Sequence, residues 1–258
     1  MPIASSASGY RAAVARTPAL RPDSTHTREP RLSVVAEESG YIAPMSLWVL
    51  EHACQQLRQW QAMGLAPFRL SINVAPANFY QADFPNQVSA TLERHGVPPG
   101  FIELELTERS LMKNTEEVQE SLRQLNRTGI RIAIDDFGTG HSCLSYLRQF
   151  PIDVLKIDRS FGKDIGPDDN GTAICSLVMS IARSLNLEVV AEGVETANQL
   201  NFLRQNGCDL AQGFYFSKPV ETQALPALLE HITPKILDGL EVGIEQAPGT
   251  ATQLRGTR

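Results

Sequence analysis

Short runs of apolar, β-prone residues alternate along this chain with stretches in which apolar positions return every three or four residues. The runs read as strands at Phe68–Val74, Phe101–Leu106, Ile130–Asp135, Val154–Ile157, Leu187–Ala191 and Asp209–Phe216. The periodic stretches predict helices at Phe84–His95, Thr115–Arg127, Ser142–Gln149, Thr172–Leu185, Ala197–Gln205 and Gln223–Glu230. An earlier helix spans Pro44–Gln61, where Leu47, Leu50, Cys54 and Leu57 form one apolar face.

Strands alternating with helices, and strands apolar on nearly every residue, mean a parallel sheet covered by helices. The pattern yields six strand–helix units. A closed (β/α) barrel needs eight strands, so the count is two short, and the shortage falls at the N-terminal end. The expected fold class is therefore α/β, a TIM-like (β/α) barrel incomplete at its N-terminal strands, with a six-stranded open sheet as the rival.

The ends of the chain break this pattern. Met1–Pro30 holds Ala, Ser, Pro and four arginines with no apolar period, so residues 1–30 are expected to be disordered, although a transit peptide shares that composition. The expected folded domain covers residues 31–233, and a disordered tail, 234–258, follows.

Composition narrows the function. With 29 acids against 23 bases the net charge is −6, which disfavours a nucleic-acid polymer as partner and suits bound cations. No apolar run is long enough for a membrane span. The four cysteines, Cys54, Cys143, Cys175 and Cys208, form no CxxC pair and read as buried thiols of a reducing compartment. With no secretory signal visible, a cytoplasmic location is expected.

The chemistry lies where the strands end. Successive C-terminal strand ends bring Asn73, Glu105 with Glu108, Asp135 with Asp136, Lys156 with Asp158, Glu192 with Glu195, and Gln212. In a parallel barrel all of these meet at one mouth, where such enzymes do chemistry. Each has an ordinary explanation when taken singly. Asn73 could cap a loop, Glu108 could favour a helix N-terminus, Asp135-Asp136 could begin a turn, and Lys156 could be a salt-bridge partner. Their recurrence at successive strand ends favours function. Crowded carboxylates repel unless cations bridge them, and oxygen donors without His or Cys favour Mg²⁺, Mn²⁺ or Ca²⁺ over zinc. Two adjacent aspartates suit a pair of ions, which points to hydrolysis of a phosphate ester. Lys156 as a Schiff-base nucleophile is disfavoured, because neighbouring carboxylates raise an amine pKa that this role needs lowered.

The strings Ser71-Ile-Asn-Val, Glu103-Leu-Glu-Leu-Thr-Glu108, Asp135-Asp-Phe-Gly-Thr-Gly140, Leu155-Lys-Ile-Asp158, Val190-Ala-Glu-Gly-Val-Glu195 and Gln212-Gly-Phe-Tyr-Phe-Ser-Lys-Pro219 resemble, in order and spacing, the EAL-domain family of cyclic-di-GMP phosphodiesterases. The resemblance runs from about Ser33 to about His231. It implies metal-ligand roles for Asn73, Glu105, Asp135 and Asp136, with Asp136 also contacting water. It implies that Lys156 orients water and phosphate and that Glu192 is a metal-linked or general-base acid. Glu108 is implied to anchor the Asp136–Gly140 loop, and Glu195 and Gln212 to stand on the substrate side. The implied reaction converts cyclic-di-GMP to linear pGpG with Mg²⁺ or Mn²⁺, on a barrel whose first strand runs antiparallel. Family members often dimerise, so a homodimer is among the implied assemblies. The Glu-Ala-Leu string that names the family is absent from the sequence, and its glutamate would be a further metal ligand. Weak or lost hydrolysis is therefore expected, and a non-catalytic module that binds cyclic-di-GMP or a protein is the alternative.

Overall fold

The computed structural model describes residues 41–65, 68–108, 116–138, 147–162 and 170–229. The expected segments 1–30 and 234–258, and most of the expected helix at Ser142–Gln149, lie outside them. Backbone contacts divide the chain into two units, Met1–Pro219 and Val220–Arg258. In the second unit a 3₁₀ turn at Thr222–Ala224 leads into helical residues 225–229, with Leu225 buried.

Among the described residues the first unit has six strands: β1 (Leu70–Asn73), β2 (Ile102–Thr107), β3 (Arg131–Phe137), β4 (Val154–Ile157), β5 (Glu188–Ala191) and β6 (Leu210–Ala211). The helices are α1 (Ile42–Ala62), α2 (Pro76–Phe79), α3 (Phe84–His95), α4 (Glu116–Arg127), α5 (Arg159–Gly162), α6 (Asn170–Ser184) and α7 (Ala197–Gln205). Local chemistry sets several boundaries. Glu116 and Glu117 sit in the first turn of α4, where the helix dipole favours acids. Thr196 and Gln199 form a reciprocal capping box that starts α7.

All strand pairs are parallel, and the order is β1-β2-β3-β4-β5-β6. That order settles the choice between barrel and open sheet. A doubly wound sheet reverses its strand order at a switch point, whereas here every crossover advances one strand in the same direction. With right-handed connections this puts every helix on one face, so the sheet must curl. Side chains show the curl directly. Arg69, just ahead of β1, reaches Glu188 of β5 at 3.1 Å, although four strand spacings in a flat sheet would separate them by about 19 Å. The curled sheet is a TIM-like half-barrel.

The two faces of the strands divide the apolar residues. One set, including Leu70, Ile72, Leu104, Leu106, Ile132, Ile134 and Leu155, is buried on the helix side. There α1 contributes Leu50, Ala53, Cys54 and Leu57, and α4 contributes Val118, Leu122 and Leu125. The alternate set lines the interior, where Ala133, Val154 and Val190 pack with Leu210. The free thiols of Cys54, Cys175 and Cys208 are buried as expected, and burial pushes their pKa values up to about 12, about 11 and about 12. Cys143 lies outside the described residues. Among the described residues no helix is long and apolar enough to cross a membrane.

Two of the boundaries that differ from the sequence reading have a visible cause. The last strand, expected over Asp209–Phe216, pairs as a strand only at Leu210–Ala211. Beyond it the chain bonds to a loop instead: Val194 N–H donates to the Gln212 carbonyl at 3.0 Å, and Tyr215 N–H donates to the Val194 carbonyl at 2.9 Å. This approach is so close that a Cβ on Gly213 would stand 2.1 Å from the Val194 oxygen. Conversely β3 runs on to Phe137, two residues past the expected Asp135, because it contains a bulge. Ile134 pairs with Leu155 and Phe137 with Ile157, which leaves one extra residue on β3.

Candidate active site

The C-terminal strand ends converge around one buried ammonium group. Lys156, on β4, is 1% exposed. Its Nζ lies 2.6 Å from Glu105 Oε1 on β2, 2.6 Å from Glu192 Oε1 after β5, and 3.4 Å from Asp135 Oδ1 on β3. Strand alternation is the cause: Glu105, Asp135 and Lys156 each point inward from their strands, and the curl brings β2 and β5 to the same centre.

Burial opposes the charge on Lys156, yet Glu105, Glu192 and Asp135 together outweigh it and hold the amine pKa above its ordinary value. The lysine is therefore a fixed cation, and the Schiff-base role has no support here. For Glu105 the balance is reversed: burial dominates and raises its pKa despite the lysine. Glu105 Oε2 is buried and has no hydrogen-bond partner among the described residues.

The bulge in β3 changes where the two aspartates go. Asp135 stays inward and buried, and its Oδ1 accepts the Asp136 N–H at 3.0 Å. Asp136 takes a left-handed conformation, φ 55°, which Asp adopts more readily than most residues. The residue as a whole is exposed, but partial burial of its carboxyl together with the charges of Asp135, Asp158 and Glu192 raises its pKa. Strict alternation would have sent Asp136 to the helix side; the bulge lets both acids face the mouth.

Other candidates fall around this centre. Asn73 ends β1, exposed, directly opposite Glu105 in the strand register. Glu108 is buried, and its Oε2 accepts the Gly138 N–H at 3.0 Å, which ties the Asp136 loop to the end of β2. Glu195 is exposed on the loop after β5, and Gln212 follows β6 with its Oε1 buried and without a hydrogen-bond partner among the described residues. Asp158 acts locally, its Oδ1 accepting the Ser160 N–H at 2.9 Å at the start of α5.

One contact the sequence reading missed is Arg159. Gly193 has φ +68°, and a Cβ there would lie 2.3 Å from the Arg159 Cβ, so α5 presses directly on the loop that carries Glu192. The only hint in the sequence is Gly193 itself, directly after Glu192.

The donor set matches hard dications. Carboxylates and an amide surround the mouth, acids outnumber the lysine, and the unpartnered Glu105 Oε2 is an acceptor that a cation would satisfy. Among the described residues no three of His, Cys, Asp or Glu already converge as a metal cage, because Glu105 and Glu192 are drawn onto the lysine.

Comparison with known proteins agrees with this fold. The model of the EAL domain matches residues 2–219, beginning well before residue 31. Cyclic di-GMP phosphodiesterase NbdA of Pseudomonas aeruginosa is 42% identical over 195 residues, which cover 76% of this chain and 25% of that protein. The chain thus spans about a quarter of the length of the curated relatives it matches. Among solved structures, the PaMucR phosphodiesterase in complex with c-di-GMP superposes with a TM-score of 0.71 at 37% identity, covering 78% of this chain and 83% of that one. The manganese/cyclic-di-GMP complex of BlrP1 from Klebsiella pneumoniae superposes at 0.64 with 31% identity, covering 70% and 45%.

Proposed function

This chain belongs to the EAL domain family, and from that membership and its mouth we propose that it binds cyclic-di-GMP and hydrolyses one phosphodiester link to give linear pGpG. The observation that carries the reading is the cluster of Glu105, Asp135 and Glu192 around Lys156, with Glu105 Oε2 buried and unpartnered. Two Mg²⁺ or Mn²⁺ ions, held by Asn73, Glu105, Asp135 and Asp136, would supply an activated water and a clamp on the phosphoryl oxygens.

The chain's own residues do the rest. Lys156 keeps its proton, so it works as a fixed positive charge that orients Glu105 and Glu192 and faces the phosphate. Glu192 accepts a proton from the attacking water, whose hydroxyl joins phosphorus, while the ribose oxygen takes a proton from solvent and leaves as an alcohol. Glu108 holds the Asp136 loop through the Gly138 N–H. Glu195 and Gln212 contact the nucleotide.

Absence of a Glu-Ala-Leu string from the 258 residues removes one carboxylate from the family's ligand set. Loss of one metal-shell group costs roughly tenfold to a hundredfold in affinity or activity, so slow turnover is expected. The same absence favours a second reading, a cyclic-di-GMP-binding module without turnover. Incubating the purified protein with cyclic-di-GMP and Mn²⁺ separates them. Linear pGpG that disappears in Asp135→Ala supports hydrolysis, and micromolar binding by calorimetry without product supports the module. Neither binding nor product would overturn both.

A further inference from the structure

Gln199 sits in the first turn of α7, outside the acid cluster, yet it controls the loop that delivers Glu192 and Glu195. Its side-chain Oε1 accepts two backbone N–H groups, from Glu195 and from Thr196, both at 2.8 Å. Its own N–H donates to Thr196 Oγ1 at 3.3 Å. The side chain is 7% exposed, so both backbone donors are satisfied inside the fold. An ordinary capping box needs only the N-cap N–H; the second bond, to Glu195, reaches one residue further back into the loop.

Besides the Tyr215 bond to the Val194 carbonyl, other ties hold the same loop. Glu192 N–H donates to the Ile157 carbonyl at 3.0 Å, Val194 N–H to the Gln212 carbonyl at 3.0 Å, and Gly193 abuts Arg159. These ties fix residues 192–194 to neighbouring strand ends and to α5. Glu195 hangs from Gln199. Behind Glu192 there is a small cavity lined by Ile157, Cys175, Ala191, Gln199 and Leu203. Glu195 and Thr196 do not line it and are exposed, so their backbone amides are held by the two bonds to Gln199.

We propose that Gln199 is a positioning residue for cyclic-di-GMP binding: through its bonds to the Glu195 and Thr196 N–H groups it sets where the Glu195 carboxylate stands at the mouth. The proposal rests on the reading of the mouth as a cyclic-di-GMP site. Loss of one amide oxygen leaves two backbone N–H groups without a partner, and the loop must move to satisfy them. Displacement of a binding carboxylate by such a shift weakens the ligand without any change in what touches it.

The test uses the full chain and three forms: wild type, Gln199→Leu and Gln199→Glu. Leu has similar bulk but no acceptor; Glu retains an oxygen that can take both N–H groups. Hydrogen exchange of the ligand-free protein reads the brace by itself. The Glu195 and Thr196 amides should be protected in wild type and Q199E and exchange rapidly in Q199L. Calorimetry with cyclic-di-GMP and Mn²⁺, well below each variant's melting temperature, reads positioning. The Kd of Q199L should rise roughly tenfold and that of Q199E should return toward wild type. A residue that merely caps α7 would lower the Q199L melting temperature and leave its Kd unchanged, which overturns the proposal. Unaltered amide protection in Q199L overturns it as well. If wild type shows no cyclic-di-GMP binding while the Q199L amides lose protection, the reading of the ligand fails and the positioning claim falls with it, leaving only the brace.

Discussion

The half-barrel carries charge at both ends of its interior, and the two ends are built on opposite principles. At the N-terminal end of the strands Arg69 and Arg131 meet Glu103 and Glu188, two cations against two anions. Ser71 adds a hydrogen bond to Glu103 at 2.9 Å. At the C-terminal end a single cation, Lys156, faces Glu105, Asp135 and Glu192, with Asp136 beside them. The apolar layer of Ala133, Val154, Val190 and Leu210 lies between. A balanced cluster neutralises itself and closes the end of a barrel. An unbalanced one is stable only while something else supplies positive charge. Charge imbalance therefore separates the proposed working end from the balanced end, where a count of ionic residues would not.

The largest expected effect comes from removing the lone cation at the unbalanced end. Lys156→Met leaves three acids facing each other, and breaking a buried ionic cluster in this way costs about 3–5 kcal/mol. Urea unfolding measures that loss, and added Mn²⁺ should shrink it. Full stability of K156M without metal would mean that the acids are protonated and that the imbalance is not real.

Next comes the response of the wild-type protein to the ion. A dication that binds only the folded state adds about 2.7 kcal/mol at a free concentration of 100 Kd. Thermal melting with Mn²⁺ should show the rise in wild type and in Arg131→Met, and its loss in Asp135→Ala. A rise that persists in D135A would place the ion elsewhere.

The balanced end should give the smallest effect. Arg131→Met removes charge-assisted hydrogen bonds at a half-buried position, worth about 1–3 kcal/mol. Denaturant titration checks the stability. Turnover of the folded fraction, where wild type shows any, should be unchanged. A fall in turnover equal to that of D135A would erase the distinction between the ends.

Much of this was legible in the sequence because it depends on local period. Helices α3 and α7 fall on the residues their apolar spacing predicts, and the six parallel strands follow from near-continuous apolar runs. The polar residue closing each strand marked the mouth before any coordinate did. Where the reading went astray the cause was long-range. The last strand is cut short because residues after Ala211 bond to the Val194 loop, and the bulge in β3 is a matter of register with β4. Short helices α2 and α5 escaped notice because four residues carry no periodicity.

The sequence by itself determined that polar residues would gather at the strand ends and that acids would outnumber bases among them. Only the tertiary structure decided that Lys156 would sit 2.6 Å from both Glu105 and Glu192, that Asp136 would turn toward the mouth, and that Gln199 would hold the Glu195 loop. Periodicity along a chain fixes the direction of a side chain relative to its own strand. Curl, bulges and loop ties are relations between segments far apart in sequence, and those exist only once the sheet has formed and curled.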